Sequence, residues 1–138
     1  MKTIGTFETV QRFNAMPSAL LLAAMGRDEY EVEHIPDSHR LDCDDEECID
    51  QVRTLLRRAP AGTPLVIYGR DADDDRPARA AYRLEGEGFG PMSIYADGLA
   101  GWRRAGYALG GSGREEHLGL GFEANEALHH GDWPERTT

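Results

Sequence analysis

The sequence predicts an α/β fold in three layers, with a mainly parallel central sheet flanked by helices. Apolar runs of strand length, such as LVIY at Leu65–Tyr68, alternate with amphipathic stretches of helix length. Glycine and proline separate many of these segments. Because ligands of parallel α/β sheets bind beyond the carboxyl ends of the strands, the loop that follows Tyr68 is the expected site.

Length and charge restrict the function. A chain of 138 residues is expected to form one domain with a tail, and its net charge of −10 makes a nucleic-acid or anionic membrane partner improbable. No apolar run reaches the ~18–20 residues of a membrane-spanning helix, and the N-terminus has no apolar signal region. We therefore expect a cytoplasmic protein with no membrane partner.

The first predicted elements are a helix and a buried strand. Thr6 is a typical N-cap residue, and the apolar residues after it recur at three-residue intervals until Pro17 ends the helix. Ala19–Met25 is continuously apolar, as a strand buried on both faces requires. A loop or a single helical turn and a short strand at His39–Leu41 follow.

The second half repeats this alternation. Glu46–Arg58 has apolar residues at helical spacing, acidic residues in its first turn and arginines in its last, an order that complements the helix dipole. Leu65–Tyr68 is the next strand, and Pro77–Leu84 is a helix that Pro77 opens. Met92–Tyr95 is another strand, and a short helix carrying Trp102 follows.

The composition changes after Leu109. Residues 110–121 include five glycines, which indicates a flexible or loosely docked extension at residues 110–138, separate from a domain at residues 1–109. Its apolar residues are candidate anchors on the domain or on a second copy of the chain. The chain could therefore form a homo-oligomer through this extension. These anchors are Leu118, Phe122, Leu128 and Trp133.

Three stretches carry a family resemblance. EYEVEHIPDS, at Glu29–Ser38, resembles the first signature of the rhodanese-like (sulfurtransferase) domain, a Glu-Tyr pair followed by Gly-His-Ile-Pro-Gly-Ala. Pro64–Phe89 resembles the family's active-site strand, loop and helix. DGLAGWRRAGYAL, at Asp97–Leu109, resembles the terminal Gly-Gly-x-x-x-Trp signature. The stretches occur in the family's order, so the resemblance implies a rhodanese-like fold.

The resemblance implies chemistry by a loop cysteine, which is absent at the matching position of this chain. A loop cysteine of the family accepts a sulfane sulfur as a persulfide, and a thiolate at a helix N-terminus is well placed for this role. Gly69 stands at that position, and Ala23-Ala24-Met25 replaces the family's Asp-x-Arg. Arg76 matches the arginine that closes the active loop.

The loop between Gly69 and Arg76 is unusually acidic. Four of its six residues are aspartates, and like charges at close range each cost on the order of 1–4 kcal/mol. We therefore expect a degenerate active-site loop that opposes anionic substrates. Its residues are Gly69, Arg70, Asp71, Asp73, Asp74, Asp75 and Arg76.

A cation site in this loop is the alternative to a solvated one. Asp71, Asp73 and Asp75 alternate as at the start of a calcium loop, but the sixth position is Arg76 and the twelfth is Tyr82, where glycine and glutamate are needed. The favoured interpretation is a solvated loop with one aspartate capping the next helix. We expect no metal and no other cofactor.

The two cysteines offer an alternative nucleophile. Cys43 and Cys48 lie in the acidic segment DCDDEECID, before or at the start of a helix. Two cysteines cannot form a disulfide framework, and their spacing is poor evidence for zinc, so we expect two ordinary thiols. Neighbouring carboxylates would raise their pKa and disfavour the thiolate.

The histidines have simpler explanations. His34 lies in the His-Ile-Pro element and is expected to make a buried hydrogen bond, while His117, His129 and His130 lie in the extension, where weak metal binding is the alternative.

The glycine at position 69 and the acidic loop after it favour a non-catalytic rhodanese-like domain that binds or regulates an unknown protein partner or small molecule. The alternative is a divergent sulfurtransferase that moves sulfane sulfur through Cys43 or Cys48.

Overall fold

The structure, a computed structural model, describes residues 2–42 and 47–112. Five strands and five helices alternate along this part of the chain. The strands are β1 (Lys2–Ile4), β2 (Leu20–Ala24), β3 (His39–Leu41), β4 (Leu65–Tyr68) and β5 (Met92–Tyr95). The helices are α1 (Thr6–Ala15), α2 (Arg27–Val32), α3 (Glu47–Arg57), α4 (Arg76–Gly86) and α5 (Gly98–Arg104).

The strands form one parallel sheet in the order β1-β5-β4-β2-β3. β4 is central, and its register places Tyr68 beside Ala23 of β2 and beside Tyr95 of β5. All three strands therefore end at the same edge of the sheet. The loops that follow them meet there, which confirms the predicted α/β fold and puts the loop after Tyr68 at the edge where ligands of such folds bind.

Each face of the sheet has its own hydrophobic core. Side chains of β4 alternate between the faces, because Val66 and Tyr68 pack in one core while Leu65 and Ile67 pack in the other. The first core contains residues of α1 and α5, and the second contains residues of α3 and α4. Burial on both faces explains why the strands are continuously apolar rather than alternating.

Two elements differ from the sequence prediction, and so does the start of α1, whose N-cap residue is Gly5 rather than Thr6. β1 has no predicted counterpart, because three residues at the edge of a sheet, only one of them buried, give almost no pattern. α2 is a helix of six residues where a loop or a single turn was expected. Its first turn contains Asp28 and Glu29, and the Glu29 Oε1 atom accepts a hydrogen bond from the Gly26 N–H at 3.3 Å.

The chain remains attached to the domain at residues 110–112. Gly110 forms an antiparallel bridge with His34, with N···O distances of 2.8 and 3.1 Å, and Ser112 Oγ donates to the Glu31 carbonyl oxygen at 3.2 Å. The proposed anchors and histidines beyond Ser112 lie outside the described residues, so the division at residue 109 stays a prediction. Within residues 2–42 and 47–112, no helix is long and apolar enough to cross a bilayer.

Candidate functional site

The loop from Gly69 to Asp75 joins β4 to α4 at the carboxyl edge of the sheet. It lies between two other loop regions, because β2 and β5 flank β4 in the sheet. Gly26 and α2 follow β2, and Asp97 and α5 follow β5. The site is therefore built from three segments that are distant in sequence.

The Asp74 carboxylate turns inward and receives the loop's own donors. Its Oδ2 atom accepts the Arg70 backbone N–H at 2.9 Å, and its Oδ1 atom accepts the Arg76 backbone N–H at 3.0 Å. Only 8% of the Asp74 side chain is exposed. The N-cap residue of α4, Asp75, thus makes no side-chain cap bond, and it is Asp74 that accepts the first N–H group of the helix.

Arg76 holds two carboxylates at once. Its Nε atom donates to Asp74 Oδ1 at 2.9 Å, and its Nη2 atom donates to Asp74 Oδ2 at 2.9 Å. The same guanidinium forms a two-point pair with Glu29 of α2, with N···O distances of 2.6 and 3.0 Å. Charge-assisted bonds of this geometry are the strong ones, so Arg76 ties the loop to α2.

The pKa values of the three groups follow from these contacts. Burial tends to raise the pKa of Asp74, but bonds from Arg76 and from the backbone N–H groups of Arg70 and Arg76 lower it to about 2. The bond from Arg76 likewise lowers the pKa of Glu29. Bonds to Glu29 and Asp74 raise the pKa of Arg76, so the cluster is fully ionised near neutral pH.

Gly69 has no room for a side chain while Asp74 is in place. A Cβ atom built on Gly69 would lie 2.5 Å from Asp74 Oδ2 and 2.8 Å from Pro77 Cγ. Both distances are shorter than real Cβ contacts, so at least one neighbour would have to move. The Asp74 carboxylate thus lies next to the space that a side chain at residue 69 would need.

The N-terminus of α5 is hydrogen-bonded to the start of the loop. The Leu99 and Ala100 N–H groups donate to the carbonyl oxygens of Gly69 and Arg70, at 3.0 and 2.9 Å. Gly98 has a positive φ of 58°, and a Cβ atom there would lie 2.3 Å from the Gly69 carbonyl oxygen. Only glycine permits both the conformation and the close approach.

The outer aspartates of the loop face solvent or nearby loop groups. Asp73 and Asp75 are exposed, Asp71 Oδ1 accepts the Asp73 N–H at 3.0 Å, and Asp75 forms an ion pair with Arg79 of α4 at 3.3 Å. The expectation of an acidic, solvated loop therefore describes these three residues but not Asp74. Among the described residues, no group of three or more His, Cys, Asp or Glu side chains could hold a metal ion.

Cys48 differs from the predicted free thiol. It lies on α3 with 1% of its surface exposed and packs in the second core. It is disulfide-bonded, so the expectation of an ordinary thiol at this position is wrong. A sulfur atom in a disulfide and in a core is not a thiolate nucleophile. Cys43 lies outside the described residues.

His34 and Trp102 have structural positions. His34 Nδ1 lies 2.6 Å from the Tyr30 carbonyl oxygen, and its ring stacks on Tyr30 at 3.9 Å, which confirms the predicted hydrogen bond at a partly buried site. Trp102 is buried in the first core, and its Nε1–H donates to the Ala108 carbonyl oxygen at 2.9 Å. These contacts stabilise the segments that follow α2 and α5 rather than the loop from Gly69 to Asp75.

A family model described as Rhodanese-like domain matches residues 8–105 of the chain. The chain belongs to the rhodanese-like domain family. The match extends over most of the described elements and includes the loop from Gly69 to Arg76. Against the curated proteins, by contrast, the sequence finds no match.

Solved structures agree with this assignment at the level of the fold. The rhodanese-like domain of the Alr3790 protein from Anabaena sp. has a TM-score of 0.68 at 20% identity, covering 83% of this chain and 82% of that chain. The BH2092 protein from Bacillus halodurans has a TM-score of 0.67 at 14% identity, with coverages of 81% and 78%. A thiosulfate sulfurtransferase from Pseudomonas aeruginosa has a TM-score of 0.62 at 21% identity, covering 80% of this chain but 20% of that one.

Within the rhodanese-like fold, one sequence departure and one sequence match have clear structural counterparts. Ala23, Ala24 and Met25, which replace the family's Asp-x-Arg, are all buried core residues. Arg76, which matches the family's arginine, faces Asp74 and Glu29. Sequence reasoning missed the role of Glu29, although its position in the Glu-Tyr signature just after β2, the strand beside β4, is the signal that could have revealed it.

Proposed function

We propose that this rhodanese-like domain is a non-catalytic module that binds or regulates a protein or a small molecule. One observation carries the proposal. Gly69 has no nucleophile, and the Asp74 carboxylate lies 2.5 Å from the point where a side-chain Cβ atom would be. A loop without a thiolate cannot form a persulfide.

The surroundings of Gly69 support the same conclusion. A sulfur anion bound in this loop would need free donors, such as N–H groups of the loop and an arginine. Here the Arg70 and Arg76 N–H groups and the Arg76 guanidinium all donate to Asp74. The exposed rim is acidic, which favours neutral or cationic partners over anionic sulfur donors such as thiosulfate.

The decisive experiment is a sulfur-transfer assay. Purified protein is incubated with thiosulfate and cyanide, and thiocyanate formation is compared with that of a variant in which both Cys43 and Cys48 are replaced by serine. We expect both proteins to remain at the background rate, while an active thiosulfate sulfurtransferase assayed in parallel does not. Thiocyanate formation by the natural chain well above the cysteine-free variant would refute the proposal.

The alternative of a divergent sulfurtransferase using Cys43 or Cys48 is tested separately. The disulfide and the burial of Cys48 do not favour it. The protein is treated with a persulfide donor, with and without prior reduction, and each cysteine-containing peptide is examined by mass spectrometry. A stable gain of one sulfur atom on either residue would support the alternative, because it requires an accessible thiolate.

A further inference from the structure

Five hydrogen bonds reach the Asp74 carboxylate, all of them from Arg70 and Arg76. One comes from the backbone N–H of Arg76 at the start of α4, one comes from the backbone N–H of Arg70 in the loop, and the others come from the guanidinium. Backbone N–H groups at a helix N-terminus together with an arginine are the donors that proteins use for oxyanions. Asp74 receives the bonds that a bound oxyanion would receive.

The attachment of Asp74 to the loop gives it a large advantage over a free anion. A group that is part of the same loop has a high effective concentration, so a free anion must displace it at the expense of those bonds. Glu29 adds to this advantage, because it holds the far side of the Arg76 guanidinium at 2.6 and 3.0 Å. Arg76 therefore cannot turn towards a ligand without breaking a second ion pair.

We propose that Asp74 is a specificity-determining residue that excludes oxyanions from the loop by occupying their position. The inference rests on the proposed function, since it concerns the loop of a non-catalytic domain, and it adds the class of ligand that the domain rejects. It also assigns different roles to aspartates that look equivalent in the sequence. The Asp74 carboxylate accepts the hydrogen bonds of Arg70 and Arg76, whereas Asp73 is exposed and its carboxylate accepts none of them.

The test uses sulfate, which has the shape and charge of an oxyanion but no transferable sulfur. Sulfate is titrated into the full chain and into D74A, and the backbone N–H signals of Arg70 and Arg76 are followed by nuclear magnetic resonance. We expect D74A to bind sulfate at least about tenfold more tightly than the natural chain, because a lost charge-assisted bond corresponds to a factor of this order. The shifts should centre on those two signals.

The matched control is D73A, which removes the same charge from the same loop. If general repulsion alone excluded sulfate, D73A and D74A would gain affinity equally, and the proposal would be overturned. A double variant, D74A with Arg76→Ala, should lose the gain because the guanidinium donors are gone. Saturable binding of sulfate to the loop of the natural chain, as tight as to D74A, would also overturn it.

Folding of the variants is checked by thermal unfolding. Should D74A fail to fold, D74S decides the matter, since its short side chain leaves the oxyanion position open, removes the charge and keeps a small polar group. D74S is then expected to bind sulfate more tightly than D73A, and equal affinities would refute the proposal. Failure here is distinguishable from failure of the proposed function, because sulfate binding and thiocyanate formation are independent readouts.

Discussion

A nearly buried carboxylate is tolerated only where its charge is compensated, and Asp74 is compensated by the positive charge of Arg76 and by two backbone dipoles. Its side chain is 8% exposed, in contrast to the 77% of Asp75 in the same loop. The four aspartates of the loop therefore contribute unequally to the free energy of folding. Asp74 contributes to the stability of the loop, and an exposed ion pair such as Asp75–Arg79 contributes little.

The pH dependence of the protein's stability should reflect the ionisation of the Asp74 carboxylate. Its pKa is about 2, below the ordinary value of 3.8, so its contribution is present above the unfolded pKa and is lost as the pH falls through the folded one. We expect D74A to lower the free energy of unfolding by about 1–2 kcal/mol near pH 7, allowing for partial solvent screening. That deficit should shrink between about pH 5 and pH 2.

Urea unfolding of the natural chain, D74A and D73A over this pH range checks the prediction. D73A serves as the control and should remain within about 0.5 kcal/mol of the natural chain, as exposed substitutions usually do. A D74A deficit that stays constant down to about pH 3 would show that the lost stability does not come from the ionised carboxylate.

At the residue scale, the sequence predicted where the candidate loop lies in the fold but not the pairing of the side chains inside it. Gly69 and Arg76 could be assigned because their places in the loop match a known pattern. The role of Asp74 could not be assigned, because adjacent aspartates look alike in a sequence and a charge count treats them all as repulsive. The fold distinguishes them by turning one carboxylate inward to the donors of Arg70 and Arg76.

At the element scale, α5 and the loop after β4 act as one unit. Two N–H groups in the first turn of α5 donate to the carbonyl oxygens of Gly69 and Arg70. The terminal signature of the sequence thus supports the loop through Gly98, whose positive φ allows the backbones to approach. The sequence predicted α5 and its Trp102 but not these hydrogen bonds to the loop, since contacts across the sheet edge leave no local pattern.

Substitution of Gly98 should therefore destabilise more than substitution of a glycine in open space. We expect Gly98→Ala to lower the free energy of unfolding by about 2–4 kcal/mol, from the strained φ and the 2.3 Å contact with the Gly69 carbonyl oxygen. Gly106→Ala is the matched control, because its φ is 86° but a Cβ atom there would meet nothing within 4 Å. It should cost only about 1–2 kcal/mol.

Chemical denaturation of the two variants measures the difference. Equal losses would show that the conformation alone matters and that the loop carbonyl can move away from α5. The resonances of Gly69 and Arg70 should also shift in Gly98→Ala and stay unchanged in Gly106→Ala, since only the first substitution presses on the loop.

At the scale of the whole molecule, the parallel topology follows directly from the alternation of strands and helices. The continuously apolar strands predicted burial on both faces, and the two cores confirm it. The edge strand β1 was missed for a physical reason, because its pairing with β5 depends on backbone hydrogen bonds that any three residues could make. The place where the domain ends is also hard to predict, since a glycine-rich composition gives no sign of the β-bridge between Gly110 and His34.

Truncation tests where the folded unit ends. A chain ending at Leu109 lacks the bridge between Gly110 and His34 and the bond from Ser112 to Glu31, whereas a chain ending at Ser112 keeps both. We expect the longer chain to be more stable by about 1–2 kcal/mol, the order of magnitude of the hydrogen bonds that are lost. Thermal and urea unfolding of the two chains, compared with the full chain, provide the measurement.

The same chains test the proposed assembly role of the extension. If residues 110–138 join two copies of the protein, the full chain should have a larger mass per particle than the chain ending at Ser112 in light scattering. Equal masses would refute the assembly role. Equal stabilities of the two truncated chains would instead place the end of the folded unit at Leu109.

The crowding between residue 69 and Asp74 also bears on how this loop can evolve. Because a Cβ atom at residue 69 would lie 2.5 Å from Asp74 Oδ2, the cost of a cysteine at 69 depends on which residue occupies 74. The effects of the two substitutions are therefore not additive, and their order matters. A cysteine at residue 69 would be accommodated more easily after Asp74 has been replaced, so the order in which the two residues change decides the cost of each step.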